Sequence, residues 1–539
     1  MERRDGGRAL LARIAQGCAA LVAVAGCSGG VSAGAAGSDA GRPGSASAGD
    51  DDAMAAPDAC GPGETLCTDC SGAQTCSPGV CSPVFCPAMT NPVTAACPAG
   101  APLSCYVDTQ CPNGSATTIT GTVYDPAGRN PVPNAVVFVP NYVSLLPVIT
   151  QGSPACNPCS NAIGDYVTVA QSNAGGSFTL QGVPTGDNVP LVIQIGKWRR
   201  VISVPRIPSC QVTTLDPGTA RLPRSRQEGD LPQIALLTGG CDNLGCMLLD
   251  VGIDPVELSA PHAGGRVDVY QGVGGAGLAN GAMAGDCTTD ACPLWSSTQS
   301  LEAYDTVLLG CECTPHDETK PAASRLAMHD WLGEGGAVLA THSQTTWFQN
   351  GPADFQAVAS WTSGPSSGAA GPFIADNTFA RGVQFGSWLV SVGAAGGNGV
   401  VSLDPANVST SVTTVAPSTS AWIRDSSTVA DGGGLSSANV KLLSFRTPIP
   451  QADADASPTE GGPTYCGQVT ITDIHAGGGQ ATQSADADGA SSPTPLPAAC
   501  SRGPMTPEEK ALEYFLFQQP ACFMEPMAIY SPPPPIPGP

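Results

Sequence analysis

Tyr304-Asp305-Thr306-Val307-Leu308-Leu309-Gly310 and, a short interval later, Trp331-Leu332-Gly333-Glu334-Gly335-Gly336-Ala337-Val338-Leu339-Ala340-Thr341-His342 decide the architecture of the larger part of this chain. Thr306 to Gly310 is a continuous apolar run, the pattern of a strand covered on both faces. Ala322, Leu326, Ala327, Trp331 and Leu332 recur at helical spacing, and Gly333-Glu334-Gly335-Gly336 closes that helix. Val338 to His342 is a second buried strand. Strand, helix and strand in succession imply a βαβ unit and a parallel sheet.

The same grammar extends in both directions. Upstream, Gln233 to Gly239 reads as a strand, Asp242 can cap a helix through Leu248-Leu249, and Arg266 to Tyr270 reads as another strand. Downstream, residues 351–460 are Gly/Ser-rich and read as an insertion. Gly467 to His475 returns as a strand, and 476–500 is a loose loop. Thr506-Pro507-Glu508-Glu509 opens a last helix: Thr506 caps it, Pro507 takes the first helical position and Glu509 completes a capping box. Ala511, Leu512, Phe515 and Leu516 form its apolar stripe. This α/β domain runs over 232–525, and 526–539 is a polyproline-like tail.

Residues 117–215 change period. Ile119, Gly121 and Val123 alternate with Thr118, Thr120 and Thr122, as in a half-buried strand. Ala135 to Val139 and Ser177 to Leu180 are further strands, and Leu191 to Ile195 forms a hairpin with Val201 to Val204 across Gly196 to Arg200. Before them, 60–116 holds Cys60, Cys67, Cys70, Cys76, Cys81, Cys86, Cys97, Cys105 and Cys111 among Pro and Gly. It has too little apolar content for a core of its own and reads as a disulfide-held segment. Cys67-x-x-Cys70 resembles half a zinc knuckle, but no His lies nearby. The expected fold class is therefore multidomain: an all-β sandwich, then a three-layer α/β domain with a mostly parallel sheet, with disordered and Cys-rich linkers.

The first 26 residues read as a leader. Arg3, Arg4, Arg8 and Arg13 precede a short apolar run from Ile14 to Gly26, too short for a stable membrane span. Val24-Ala25-Gly26-Cys27 resembles a bacterial lipobox, which implies acylation of Cys27 and a membrane partner through the lipid. An ordinary secretory leader with an incidental Cys is the alternative. Ser28, with no Asp after Cys27, implies by resemblance the outer membrane, and residues 27–59 are a flexible tether.

Charge and cysteine usage fit export. Of 23 Cys, setting aside Cys18 in the leader and Cys27 at the acylation position leaves 21, an odd number; after a leader such density suggests disulfides. The formal charge is −23 and the leader carries four Arg against one Glu and one Asp, so the remainder is near −25. No basic patch exists to neutralise phosphates, which excludes nucleic acid as a partner.

Two resemblances follow. Ile119-Thr120-Gly121-Thr122-Val123-Tyr124-Asp125-Pro126, Pro133-Asn134-Ala135-Val136-Val137, Ser177-Phe178-Thr179-Leu180 and Val183-Pro184-Thr185-Gly186 resemble the carboxypeptidase regulatory-like domain, a prealbumin-like β-sandwich. That implies an accessory module that binds a partner or sugar, or spaces other domains. The two stretches quoted at the outset, with Thr472-Asp473-Ile474-His475, resemble the class I glutamine-amidotransferase-like or trehalose-utilisation-like α/β fold. As a whole the arrangement looks like lipoproteins of predatory, high-GC soil bacteria.

Chemistry concentrates at strand ends, where open α/β sheets bind ligands. Cys311-Glu312-Cys313-x-x-His316, Thr341-His342-Ser343 and Asp473-Ile474-His475 all stand at such ends. If they converge, His342, His475, Asp473 and Glu312 form an acid/base or metal site, and Ser343 with His475 and Asp473 mimics a triad. Against this, active members of the resembled family carry a nucleophilic Cys in a G-x-C-x-G turn where this chain has Thr341-His342-Ser343. Cys311 lies one strand earlier beside Cys313; disulfides such as Cys241–Cys246 or Cys287–Cys292 suggest that both are oxidised. Five His are few for a metalloenzyme. Gly272-Val273-Gly274-Gly275 is like a phosphate loop in composition only. In the sandwich, Trp198, Arg199 and Arg200 are candidate glycan contacts at a hairpin tip.

The expected function is a non-catalytic cell-envelope lipoprotein, with a sandwich that binds an envelope glycan or protein and a degenerate amidotransferase-like domain. No cofactor and no metal are expected. The alternative is an extracytoplasmic hydrolase that acts on sugar or amide bonds through the strand-end His/Asp cluster. Convergence of the cluster in an open pocket favours the hydrolase; scattered or buried groups favour the scaffold.

Overall fold

The structure, a computed structural model, describes residues 64–68, 74–78, 84–87, 97–98, 100–152, 163–279, 283–367, 371–425, 439–449, 465–476, 494–500 and 503–518. The chain divides into two units, Met1–Ala59 and Cys60–Pro539, and everything described lies in the second. The leader, Cys27, the tether and the Pro-rich tail lie outside the described residues.

The chain is built of mixed sheets with few helices. Besides a small antiparallel pair of Glu64–Thr68 with Gln74–Pro78, its first half forms two packed sheets. Thr118–Thr122 (β1), Val136–Pro140 (β2), Tyr166–Gln171 (β3), Ser177–Gln181 (β4), Gly186–Ile195 (β5), Trp198–Ile207 (β6) and Val212–Thr214 (β7) are their strands. One sheet has the order β7-β1-β4 and the other β6-β5-β2-β3. In β4, Phe178 and Leu180 are buried while Ser177, Thr179 and Gln181 are exposed, so period-two patterning decides which face meets the core. Ile119, Phe178 and Leu180 of one sheet share a core with Val137, Leu191 and Ile193 of the other. The β5–β6 hairpin is longer than the sequence suggests: its turn is only Gly196-Lys197, and pairing starts at Trp198.

The Cys-rich stretch is not self-contained. Cys86–Pro87 pairs with the start of β5, and Leu103 and Tyr106 enter the same core. Disulfide Cys97–Cys105 closes a short loop within it, and Cys111–Cys210 ties it to the connection between β6 and β7.

The second half is one long sheet. Ile234–Thr238 (β8), Val267–Gln271 (β9), Thr306–Leu309 (β10), Ala337–Thr341 (β11) and Gly467–Thr472 (β17) are mutually parallel in the order β9-β8-β10-β11-β17. Alternate residues serve two cores. Leu236, Leu308 and Leu339 face one; Leu237, Val307, Leu309, Val338 and Ala340 face the other. That is why these strands read as unbroken apolar runs. Helix α1 (Leu244–Val251) covers the first core, and α2 (Ala322–Gly333) packs Trp331 and Leu332 into the second.

The described residues of 351–460 are more regular than their Gly/Ser-rich composition suggests. Ala359–Ser367 (β12), Phe373–Ala375 (β13), Ser409–Val415 (β14), Thr419–Asp425 (β15) and Val440–Thr447 (β16) extend the sheet antiparallel from β17. Helix α3 (Ala380–Ser391) packs Phe385 and Trp388 against the last helix, α4 (Pro507–Gln518). The capping box of α4 closes as expected: the Thr506 amide donates to Glu509 and the Glu509 amide to Thr506 Oγ1.

No linker separates the two halves. One core runs from Ile119 through Leu236 and Leu248 to Phe515. Across the seam, Trp198 packs edge-on against Phe517 at 5.4 Å, Trp388 Nε1 donates to the Pro131 carbonyl at 2.7 Å, and Gln518 Nε2 donates to the Pro133 carbonyl at 3.0 Å. Lys197 pairs with Asp305. Asp125 and Glu513, fully buried, face each other there. Burial raises the pKa of both carboxyls, Glu513 well above its ordinary range, where the neighbouring Asp125 adds to the effect. The Arg129 amide donates to Asp125 at 2.7 Å and Asn130 to Glu513 at 2.6 Å.

Candidate functional site

The parallel order β9-β8-β10-β11-β17 reverses direction between β8 and β10, and ligands in such sheets bind outside the carboxyl ends at that point. Asp242 follows β8 and Cys311 follows β10, so they flank the reversal. His342 follows β11 and His475 follows β17. All four meet.

Cys311 Sγ lies 3.3 Å from His342 Nδ1 and 3.3 Å from Ser343 Oγ. The His342 and His475 rings stand 4.7 Å apart, edge to face, and His475 also hydrogen-bonds the sulfur. His475 Nδ1 is 2.9 Å from Asp242 Oδ1, and the amides of Ala476 and Cys311 donate to the same Asp242 carboxylate. The Cys313 amide points at the sulfur from 3.3 Å. His342 holds a left-handed backbone, φ 40°, at the sharp turn from β11 into Ser343. A non-glycine residue is costly there, and surrounding packing must hold it.

The electrostatics follow from this packing. Burial pushes the Cys311 thiol up, but hydrogen bonds from His342 and His475 outweigh it and bring it down to about 7. Burial lowers the His475 imidazole, but Asp242 and Cys311 outweigh it and lift it to about 10. His342 is likewise raised, against its burial, by its bond to Cys311. The group thus sets a thiol of lowered pKa between two imidazoles, one of them backed by a carboxylate. Such an arrangement can transfer protons, act as a nucleophile or bind a thiophilic metal through Cys311, His342 and His475.

The expected cluster is thus met in part. His342, His475 and Ser343 come together. Asp473 does not join them: it is buried and spends both oxygens on Ser411, whose amide and hydroxyl each lie 2.6 Å away. Burial raises its pKa. Ser343 accepts the Glu312 amide at 3.2 Å and has no bond to Asp473, so the Ser-His-Asp triad is not formed. The Glu312 carboxylate is also engaged elsewhere. It pairs with Lys320 at 2.6 Å, both side chains fully buried, and accepts the Val273 amide and Gln344 Nε2. A side chain at Gly272 would strike Glu312, so the Gly-rich turn is explained by close packing.

Two residues that complete the site were missed. Asp242 reads as a helix cap, yet Asn243 caps α1. Cys311 reads as oxidised beside Cys313, yet Cys313 pairs with Cys241, and Cys311 is the free cysteine among the described residues. Cys246 pairs with Cys500, not with Cys241, while Cys287–Cys292 forms as expected. The signal for both misses is strand order, which puts the ends of β8 and β10 side by side.

The glycan patch is not presented. Trp198 is 0% exposed under α4. Arg199 is buried, bonds the Pro147 carbonyl at 2.6 Å and pairs with Asp230. Arg200 is half-buried beside Arg221 and Glu228.

No family model, curated protein or solved structure matches the chain.

Proposed function

We propose that this protein is an envelope-anchored hydrolase that acts on sugar or amide bonds at the ends of β8, β10, β11 and β17. One observation carries the reading: four chain-distant residues, Asp242, Cys311, His342 and His475, meet at the reversal point of the parallel sheet. Two imidazoles beside one thiol, one of them held by a carboxylate, can divide the proton work of hydrolysis, one taking a proton from water and the other giving one to the leaving group. Asp242 positions His475 by holding Nδ1, which leaves Nε2 for the reacting atoms. The lipobox-like Val24-Ala25-Gly26-Cys27 supports a lipid anchor, Ser28 after it supports the outer membrane, and the resemblance of 117–215 to a prealbumin-like sandwich supports a role in holding the sheet and in meeting envelope glycan or protein.

A second reading, the non-catalytic envelope scaffold with a degenerate amidotransferase-like domain, is favoured by a specific observation. Cys311 is 0% exposed, and the elbow that carries the nucleophile in the resembled family carries His342 here.

The exported, oxidised full chain assayed on chromogenic esters, anilides and glycosides separates the two. Turnover that falls about 100-fold or more in His342→Ala and in His475→Ala, with the Tm retained, supports the hydrolase. No turnover on any of these, or turnover that ignores both substitutions, leaves the scaffold.

A further inference from the structure

We infer that Cys311 Sγ, His342 Nδ1 and His475 Nε2 are the protein ligands of a mononuclear zinc site with an open fourth position; the inference rests on reading this cluster as the working site of the hydrolase proposed above.

The three ligand atoms lie within 4.8 Å of one another. A tetrahedral zinc with Zn–S of 2.3 Å and Zn–N near 2.0 Å sets its sulfur and nitrogen ligands about 3.6 Å apart. The 3.3 Å between Cys311 Sγ and His342 Nδ1 is close to that edge, so the ion enters with a shift of a few tenths of an ångström. One thiolate and two imidazoles suit zinc and not the oxygen-seeking magnesium or calcium.

The surroundings are those of a built site. The Asp242 carboxylate holds His475 Nδ1 and so dedicates Nε2 to the ion; such carboxylate–histidine pairs orient metal ligands. Asp242 is itself fixed by the amides of Ala476 and Cys311. Ser343 Oγ and the Cys313 amide surround the sulfur as hydrogen-bonding groups. The strained backbone of His342 aims its ring at Cys311. Nearby carboxylates are committed elsewhere: Glu312 to Lys320 and Asp473 to Ser411. Water reaches the cluster at His475, whose side chain is 12% exposed, so the open position faces that side. Zinc binding would displace the thiol proton to solvent.

The test uses full-length protein, exported with its disulfides formed and purified without chelator. Elemental analysis is expected to find about one zinc per chain, lost in Cys311→Ala and in His475→Ala. Because either variant can fail to fold, a second measurement uses the unmodified protein: zinc alone, added after chelation, is expected to protect the Cys311 peptide from iodoacetamide at least tenfold. Wild-type protein that takes up no zinc, and whose Cys311 alkylates equally fast with and without it, overturns the site. Zinc bound without turnover defeats the hydrolase and leaves the metal site standing; turnover that survives chelation defeats the metal site and leaves the hydrolase.

Discussion

Two clusters of buried titratable groups, one at the seam and one at the strand ends, are built in different ways. At the seam, Asp125 and Glu513 come from a turn after β1 and from the middle of α4, and their neighbours Asn130 and Arg129 hold them through ordinary hydrogen bonds. At the sheet edge, Asp242, Cys311, His342 and His475 come from four loops, one of them on a left-handed backbone. Burial raises both seam carboxyls, so desolvation there favours the neutral form. The sheet-edge groups move the opposite way, toward a thiolate and imidazolium, despite the same burial. Burial alone therefore does not mark a site. What distinguishes the second cluster is that its members stabilise charge in one another.

The largest test of this contrast strikes the seam. Trp198→Ala opens a cavity under Phe517 and is expected to cost about 3–5 kcal/mol in denaturant unfolding. Zinc content per folded molecule should not change; a loss of metal would show that the clusters are coupled. A smaller effect is expected from Glu513→Gln. A raised carboxyl contributes stability that is present below the ordinary carboxyl pKa and lost as pH rises through the folded value. Removing it should raise Tm by about 2 °C near pH 8 and leave it unchanged near pH 4. Equal shifts at both values would mean that the pair holds no proton. The smallest concerns Glu228, whose carboxyl Arg221 holds down to about 2. Its contribution is present above the ordinary carboxyl range and lost as pH falls toward 2. Glu228→Gln should lower stability at neutral pH by less than about 1 kcal/mol, because the pair is partly wet, and the difference should vanish in acid.

The parallel strands were legible because each sends alternate residues into two apolar cores, which leaves an unbroken signal at Val307-Leu308-Leu309 and Val338-Leu339-Ala340. The capping box at Thr506 and Glu509 was legible because it is local. Strands β14 and β15 were not: Ser409-Thr410-Ser411 and Thr419-Ser420 look like loop, and pairing with β12 and β16 supplies what composition withholds. Trp198 looked exposed because its cover, Phe517, arrives more than 300 residues later. Asp242 and His475 are 233 residues apart, and no local pattern announces a contact that depends on strand order. His342 and His475 were legible as strand ends, while Cys311 was hidden by the assumption that neighbouring cysteines share a fate.

The closure of the first sheets by α4 sets an order of events. Residues 117–215 are made well before the groups that cover Trp198, Pro131 and Pro133, which lie at Trp388 and in 513–518. An apolar face thus waits through most of synthesis, a time when such faces invite aggregation and proteolysis. A chain cut short before Pro507 keeps that face bare for good.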